Sequence, residues 1–192
     1  MKSKKGLYIL LGILVLIVIF MFNRMTSKEV TAETQWADVE SAYQRRADLI
    51  PNLVSTVKGY AAHEKETLEG VIKARSEATK TSINASDLTP ESIAKFQEAQ
   101  QGLTGALSKL LLTVERYPDL KANKNFLELQ SQLEGTENRI NVERNRFNDL
   151  TREYNVYIRK FPMNLFAGVF GFDEMATFKA NPGSENAPKV EF

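Results

Sequence analysis

The chain contains no cysteine and a single histidine, His63, in 192 residues. The lack of cysteine excludes disulfide frameworks, thiolate metal sites, cysteine nucleophiles and lipid attachment through cysteine. One histidine means that a multi-histidine metal site would need several chains. A surplus of either charge is also missing: 25 basic and 24 acidic residues leave a formal charge of +1, which argues against a nucleic-acid binder with a large basic face. No strand-like alternation or glycine-rich phosphate loop is present. Hydrophobic residues make up 43% and charged residues 26%, enough apolar material for a packed core and against wholesale disorder. The length fits one domain, or one domain with an appendage.

What the chain does have is a long apolar run near its start. Residues 1–5 form a short basic N-terminus, MKSKK, and Gly6 to Phe22 follow without a charge. As a helix rising ~1.5 Å per residue, this run spans roughly 25 Å, a little short of a ~30 Å hydrocarbon layer. Lys5 and Arg24 can snorkel to close the gap. A cleaved signal peptide would carry a shorter apolar region, about 7–15 residues. The small-residue site Val30-Thr31-Ala32 lies well past the end of the run. The segment over 6–23 therefore reads as a retained transmembrane helix. Lys2, Lys4 and Lys5 precede it, whereas Arg24 and Lys28 are diluted by Glu29, Glu33 and Asp38. This bias points to a cytoplasmic N-terminus and a body on the far side of the membrane. Without those three lysines the body carries 22 basic and 24 acidic residues, so broad adhesion to anionic lipid or nucleic acid is not expected.

The body, residues 28–161, reads as a helical bundle. Trp36, Val39, Tyr43, Ile50, Leu53, Val57 and Tyr60 recur at spacings of three, four or seven, a helical period. Leu68, Val71, Ile72 and Arg75 continue it, so one helix is expected over 28–80 with a kink or break near Pro51. Residues 81–89 are a polar connection. Thr89-Pro90-Glu91 then fits a helix start, with Thr as N-cap, Pro at the first position and an acid near the positive end. That helix should run over 90–117 and stop at Pro118. Asn123 is a plausible next N-cap, opening a helix over 124–161. Alternating steps of four and three from Phe126 visit Leu133, Glu137, Ile140, Arg144, Phe147, Tyr154, Ile158 and Phe161, the seam of an antiparallel bundle. Residues 162–180 are rich in aromatics and should cap one end, while 181–192 read as a flexible tail. The expected class is all-α: an N-terminal transmembrane helix, then an antiparallel, four-helix-type bundle.

Three stretches carry a resemblance: RRADLIPNLVSTVKGYAAHEKETL, YPDLKANKNFLELQSQLEGTENRI and RFNDLTREYNVYIRKFP. In this order behind one apolar helix they resemble the LemA family, over nearly the whole chain. The resemblance implies a four-helix-type bundle behind a single membrane helix in bacteria, and no known reaction. Some members stand beside membrane metalloproteases or other envelope proteins. The resemblance thus implies an envelope accessory role, with an envelope protein partner such as a protease.

Several constellations have both a functional and a bland reading. Arg45, Arg46 and Asp48 precede Pro51; they form either a polar patch for a partner or a solvated face with an ion pair to another helix. Glu137 and Arg144 fall on the apolar seam and need partners. Arg45 or Arg46 is available to Glu137, and Glu64 to Arg144, giving either a register-fixing network or an interior ligand site. His63-Glu64 lacks a second histidine four residues on, Thr67 standing there, so a zinc-protease helix is excluded. No Glu-x-x-His pair exists for a di-iron bundle either, and His63 reads as an ordinary polar helix residue. Asn141, Asn148 and Asn155 repeat every seven residues along one flank, as hydrogen-bonding partners across helices or as a polar contact surface. Val190 and Phe192, at the C-terminus, are candidates for docking as an added strand on a peptide-binding domain, against the plainer reading of a frayed tail.

Together these features predict a non-enzymatic, single-pass protein of a bacterial cytoplasmic membrane. It would need no cofactor or metal and would act as a scaffold or adaptor for another membrane or envelope protein. Homo-oligomers are compatible with this reading, although the apolar run holds no GxxxG pair. The alternative is a bundle that senses a ligand or lipid through its interior polar residues.

Overall fold

The computed structural model of the chain describes residues 2–179, with side chains from Lys4 onward. Every regular element among them is a helix. In chain order they are α1 (Lys2–Tyr60), α2 (Lys65–Lys80), α3 (Pro90–Val114), α4 (Pro118–Lys121), α5 (Lys124–Arg159) and α6 (Met163–Phe170). Four of them alternate in direction. Helix α1 rises, α2 returns beside it with Arg75 opposite Ala47, α3 rises with Gln100 opposite Arg46, and α5 descends with Ile158 reaching Met25. The result is the expected all-α bundle.

Helix α1 is one unbroken element of 59 residues, ~90 Å long. The apolar run and the first bundle helix are therefore a single rod, with no linker between 23 and 28. Pro51 does not break it. A proline at 51 leaves the carbonyl of Ala47 without its usual helical donor. Arg75 Nε, from α2, donates to that carbonyl at 2.7 Å. A side chain from the neighbouring helix thus replaces the missing backbone bond. The chain reverses instead at 61–64, so the single helix expected over 28–80 is two helices. His63, expected within a helix, is exposed in this turn.

Helix α3 begins as its sequence demands. Thr89 accepts from Ser92 N, Ser92 accepts from Thr89 N, and Pro90 occupies the first turn. It ends at Val114, before the expected 117, and Pro118 opens the one-turn α4 rather than merely stopping α3. Asn123 caps α5, accepting from Phe126 N at 3.1 Å. Along the seam of α5, Phe126, Ile140, Phe147, Tyr154 and Ile158 are buried, and the seam ends there, Phe161 being 80% exposed. The Phe161–Pro162 peptide is cis. After α6, Gly171 takes a left-handed conformation at φ 78°, which an L side chain rarely adopts, and terminates the helix.

The interior changes character along its length. The end far from the apolar run is aliphatic: Ile50, Leu53, Val57, Leu68, Val71, Leu103, Leu110 and Phe126 pack together. The middle is aromatic, with Trp36, Tyr43, Phe96, Phe147 and Phe178 in edge and stacked contacts of 5.0–6.4 Å. Nearest the apolar run, Met25, Tyr154, Ile158, Ala167 and Phe172 close the core.

Candidate functional site: an interior arginine and a strapped aromatic groove

Arg46 stands on the inward face of α1 and is only 3% exposed. A buried guanidinium requires acceptors, and three neighbours provide them. Nη1 donates to Glu137 Oε2 at 2.9 Å and to Thr104 Oγ1 at 3.0 Å. Nη2 donates to Gln100 Oε1 at 2.8 Å and approaches the Gln100 carbonyl at 3.3 Å. Gln100 in turn donates to Ala78 O at 3.1 Å, so α1, α2, α3 and α5 are joined through one side chain. The guanidinium also lies 5.1 Å from the Tyr43 ring. Its Nε is buried without a partner among the described residues. Burial raises the Tyr43 hydroxyl above its ordinary pKa, and the nearby Arg144 and Arg46 charges oppose the shift. Glu137 is about half exposed. It forms the outer wall of an open cleft of about 380 Å³ that Tyr43, Thr104 and Arg144 also line.

The other anticipated residues are dispersed. Arg45 is exposed and borders a separate open hollow of about 570 Å³, beside Asp38, Thr136 and Arg139. Glu64 does not meet Arg144. It accepts from Arg116 Nη2 and from the Tyr117 hydroxyl, both at 2.9 Å, at the far end of the bundle. The cause is the reversal at 61–64, which puts Glu64 at the opposite end from Arg144. Arg144 instead places its guanidinium 4.6 Å from the Phe178 ring and donates to Lys179 O at 3.3 Å. Val190 and Phe192 lie outside the described residues.

Phe178 belongs to an extended segment, 172–179, that runs back along α5 as a strap. Two asparagines hold it by paired amide bonds. Asn155 Nδ2 donates to Met175 O at 2.8 Å, and its Oδ1 accepts from Met175 N at 3.0 Å. Asn148 repeats the arrangement with Phe178 at 3.1 and 2.9 Å. The geometry follows from two periods: seven helical residues advance ~10.5 Å and three extended residues ~10 Å, so asparagines seven apart meet backbone groups three apart. Ala176 N donates to Leu88 O at 2.9 Å, tying the strap to the loop before α3. At the Asn148 clamp the Phe178 ring stacks on Trp36 at 5.7 Å. Tyr154 donates to Asp173 O at 2.9 Å and lies 3.4 Å from Glu29 Oε1. Burial and that carboxylate raise the Tyr154 pKa; burial, with Glu33 nearby, raises that of Glu29.

Apart from Glu29 and Glu33, these groups lie within residues 35–192, which match the LemA family. The chain belongs to the LemA family. The LemA match starts at Gln35, beside the aromatic core, and so takes in the bundle and the strap. Similar proteins include magnetosome protein MamQ of Magnetospirillum gryphiswaldense, 26% identical over 185 residues, covering 85% of this chain and 66% of that protein. Protein LemA of Metamycoplasma hominis is 25% identical over 143 residues, covering 74% of this chain and 62% of that protein. The chain thus spans somewhat less than two thirds of the length of these relatives. The family, together with the apolar N-terminal helix, makes this a LemA-type, membrane-associated protein.

Two parts of the site escape a seam drawn through 137 and 144. Glu143 is 2% exposed. It accepts from Gln35 Nε2 at 2.7 Å and pairs with Arg139 at 2.6 Å. It lies on the parallel track Thr136, Ile140, Glu143, Phe147, equally consistent with steps of four and three. The strap itself has no periodic signature; its trace in the sequence is the asparagine repeat that receives it. Among the described residues no three His, Asp or Glu side chains converge on a metal-binding arrangement.

Proposed function

We propose that this LemA-family chain is a non-enzymatic, single-pass scaffold whose bundle stands outside a bacterial cytoplasmic membrane and contacts another envelope protein. The observation that carries the reading is the continuity of α1. Its apolar part is bare, with Leu7, Leu10, Leu14 and Leu16 each at least 60% exposed, whereas the same helix from Met25 onward is packed along the bundle. In lipid the bare part is matched to its surroundings, and every backbone group within it is satisfied by the helix itself. An anchor that is continuous with the bundle's own first helix holds the bundle near the membrane and raises its effective concentration for membrane partners. The relatives named for magnetosomes accord with work at a membrane. The basic N-terminus stands on the cytoplasmic side.

Proximity labelling from the C-terminus in intact cells tests this. One recurrent envelope protein should be enriched, and the enrichment should vanish when α1 residues 6–22 are deleted. Enrichment of cytoplasmic proteins alone would contradict both orientation and role. A second reading, a ligand- or lipid-sensing bundle, is favoured by the cleft beside Arg46 and Arg144, where a buried guanidinium retains an unpartnered N–H. Under that reading the purified chain binds an anionic small molecule or lipid without a protein partner, and Arg144→Gln weakens the binding.

A further inference from the structure

Helix α6 and its flanks, residues 161–172, contain no charged residue. A short helix whose one polar side chain is the exposed Asn164 needs cover on more than one side. The bundle covers one side only: Met163, Phe166 and Ala167 pack against Met25, Tyr154 and Ile158. On the other side Leu165 is 60% and Val169 78% exposed, one helical turn apart, and Phe161 in the preceding turn is 80% exposed. Exposed apolar surface of this kind marks a contact, and its position identifies the contact. Phe22 is the last residue of the apolar run. Its ring meets Phe170 edge-on at 5.3 Å and Phe172 at 5.5 Å. Met25 packs beneath the same element, and Met21, one turn earlier on α1, is also buried. Helix α6 therefore sits at the level on α1 where the apolar run ends and the bundle begins. Arg24 and Lys160 are exposed around it, and Arg159 is exposed and paired with Glu174 at 3.3 Å; a mixed polar rim of this kind suits a phospholipid headgroup layer.

We infer that α6 with Phe161 is an interfacial membrane element, whose Phe161, Leu165 and Val169 side enters the headgroup–acyl boundary of the bilayer that α1 crosses. The occupant of this apolar face is lipid. The inference rests on the reading of α1 as a membrane span and adds a second point of contact. One helix alone leaves the bundle free to tilt; a helix plus a flat apolar foot fixes its attitude to the membrane plane.

The natural absence of cysteine makes the test direct. Full-length Leu165→Cys and Val169→Cys proteins, each labelled with an environment-sensitive fluorophore, are reconstituted into vesicles of mixed zwitterionic and anionic phospholipid. Nitroxide quenchers are carried at shallow or deep acyl positions. Ile13→Cys, within the span, and Asn125→Cys, at the far end of the bundle, serve as references. The α6 labels should be quenched several-fold more than Asn125→Cys, and more by shallow than by deep nitroxides, while Ile13→Cys responds most to deep ones. If Ile13→Cys is quenched and the α6 labels match Asn125→Cys, the inference fails and the membrane span stands. If Ile13→Cys is also unquenched, the span itself fails. Blue-shifted α6 emission without lipid quenching would mean that protein, such as a second copy, covers this face, and would overturn the inference.

Discussion

The two ends of the bundle solve the same packing problem with different chemistry. At the far end four helices meet around Leu53, Val57, Leu103 and Leu110, side chains that need only volume and burial. Toward the membrane α2 has ended, α3 has only begun, and a strap fills the remaining groove with Phe178 against Trp36. An extended segment brings unpaired backbone groups with it, so this end needs Asn148 and Asn155 to satisfy them. Arg46 stands between the two ends and joins four helices through hydrogen bonds of 2.8–3.1 Å. The contrast teaches that an all-helical layer can be filled by aliphatic bulk, whereas a groove filled by an extended segment requires directional side-chain contacts to its backbone.

The largest effect should come from testing that contrast directly. Replacing Arg46 by Met keeps apolar bulk but leaves Gln100 Oε1 and Thr104 without their donor, and should cost about 2–3 kcal/mol. Leu110→Met at the aliphatic end should cost less than about 1.5 kcal/mol. Chemical denaturation of the detergent-solubilised chain measures both, and equal costs would erase the distinction. Next, Asn148→Ala and Asn155→Ala should each lose about 1–2 kcal/mol of strap docking. Trp36 is the sole tryptophan, so release of Phe178 should shift its emission to the red and open 172–179 to proteolysis while helicity is retained.

What could be read from the sequence follows the same division. The all-α class, the Thr89-Pro90 start, the Asn123 cap and the Phe147, Tyr154, Ile158 stripe were legible because helix periodicity and capping are local. Family membership was legible from three long motifs in order. The site was legible only in part. That Glu137 needs a cation was evident; which arginine supplies it depended on the rotation of α1, which buries Arg46 and exposes Arg45. Glu64 and Arg144 look like partners only if one helix runs through 61–64; Pro51 is the stronger local break signal, and nothing as strong marks the turn at 61–64. That proline is accommodated by Arg75, a contact between helices that no local pattern announces. The asparagine repeat was visible, but its partner is an irregular segment whose docking is wholly tertiary.

The proline repair gives a smaller, sharper prediction. Arg75→Ala should cost about 1 kcal/mol, by stranding the Ala47 carbonyl. In a Pro51→Ala background the helix supplies its own donor, so the cost should nearly disappear. Additivity in this double-mutant cycle would refute the repair. The smallest effect is a pH slope from Glu29. Its folded pKa lies above the ordinary 4.5 because burial and Glu33 disfavour the charge. The folded state therefore binds the proton more tightly than the unfolded chain. That contribution is complete below 4.5 and is lost as pH rises through the raised value. Denaturation from pH 4 to 7 should show this decline, and Glu29→Gln should flatten it.

The central claim is that span and bundle are one rod, so that the membrane fixes how the bundle is presented. Spin labels on an Ile13→Cys, Asp38→Cys pair, in the full chain in lipid nanodiscs, measure it by pulsed dipolar spectroscopy. The 25 intervening steps of an unbroken helix predict one narrow distribution at about 38 Å. A broad distribution centred well below that value would place a hinge between membrane and bundle and contradict the account.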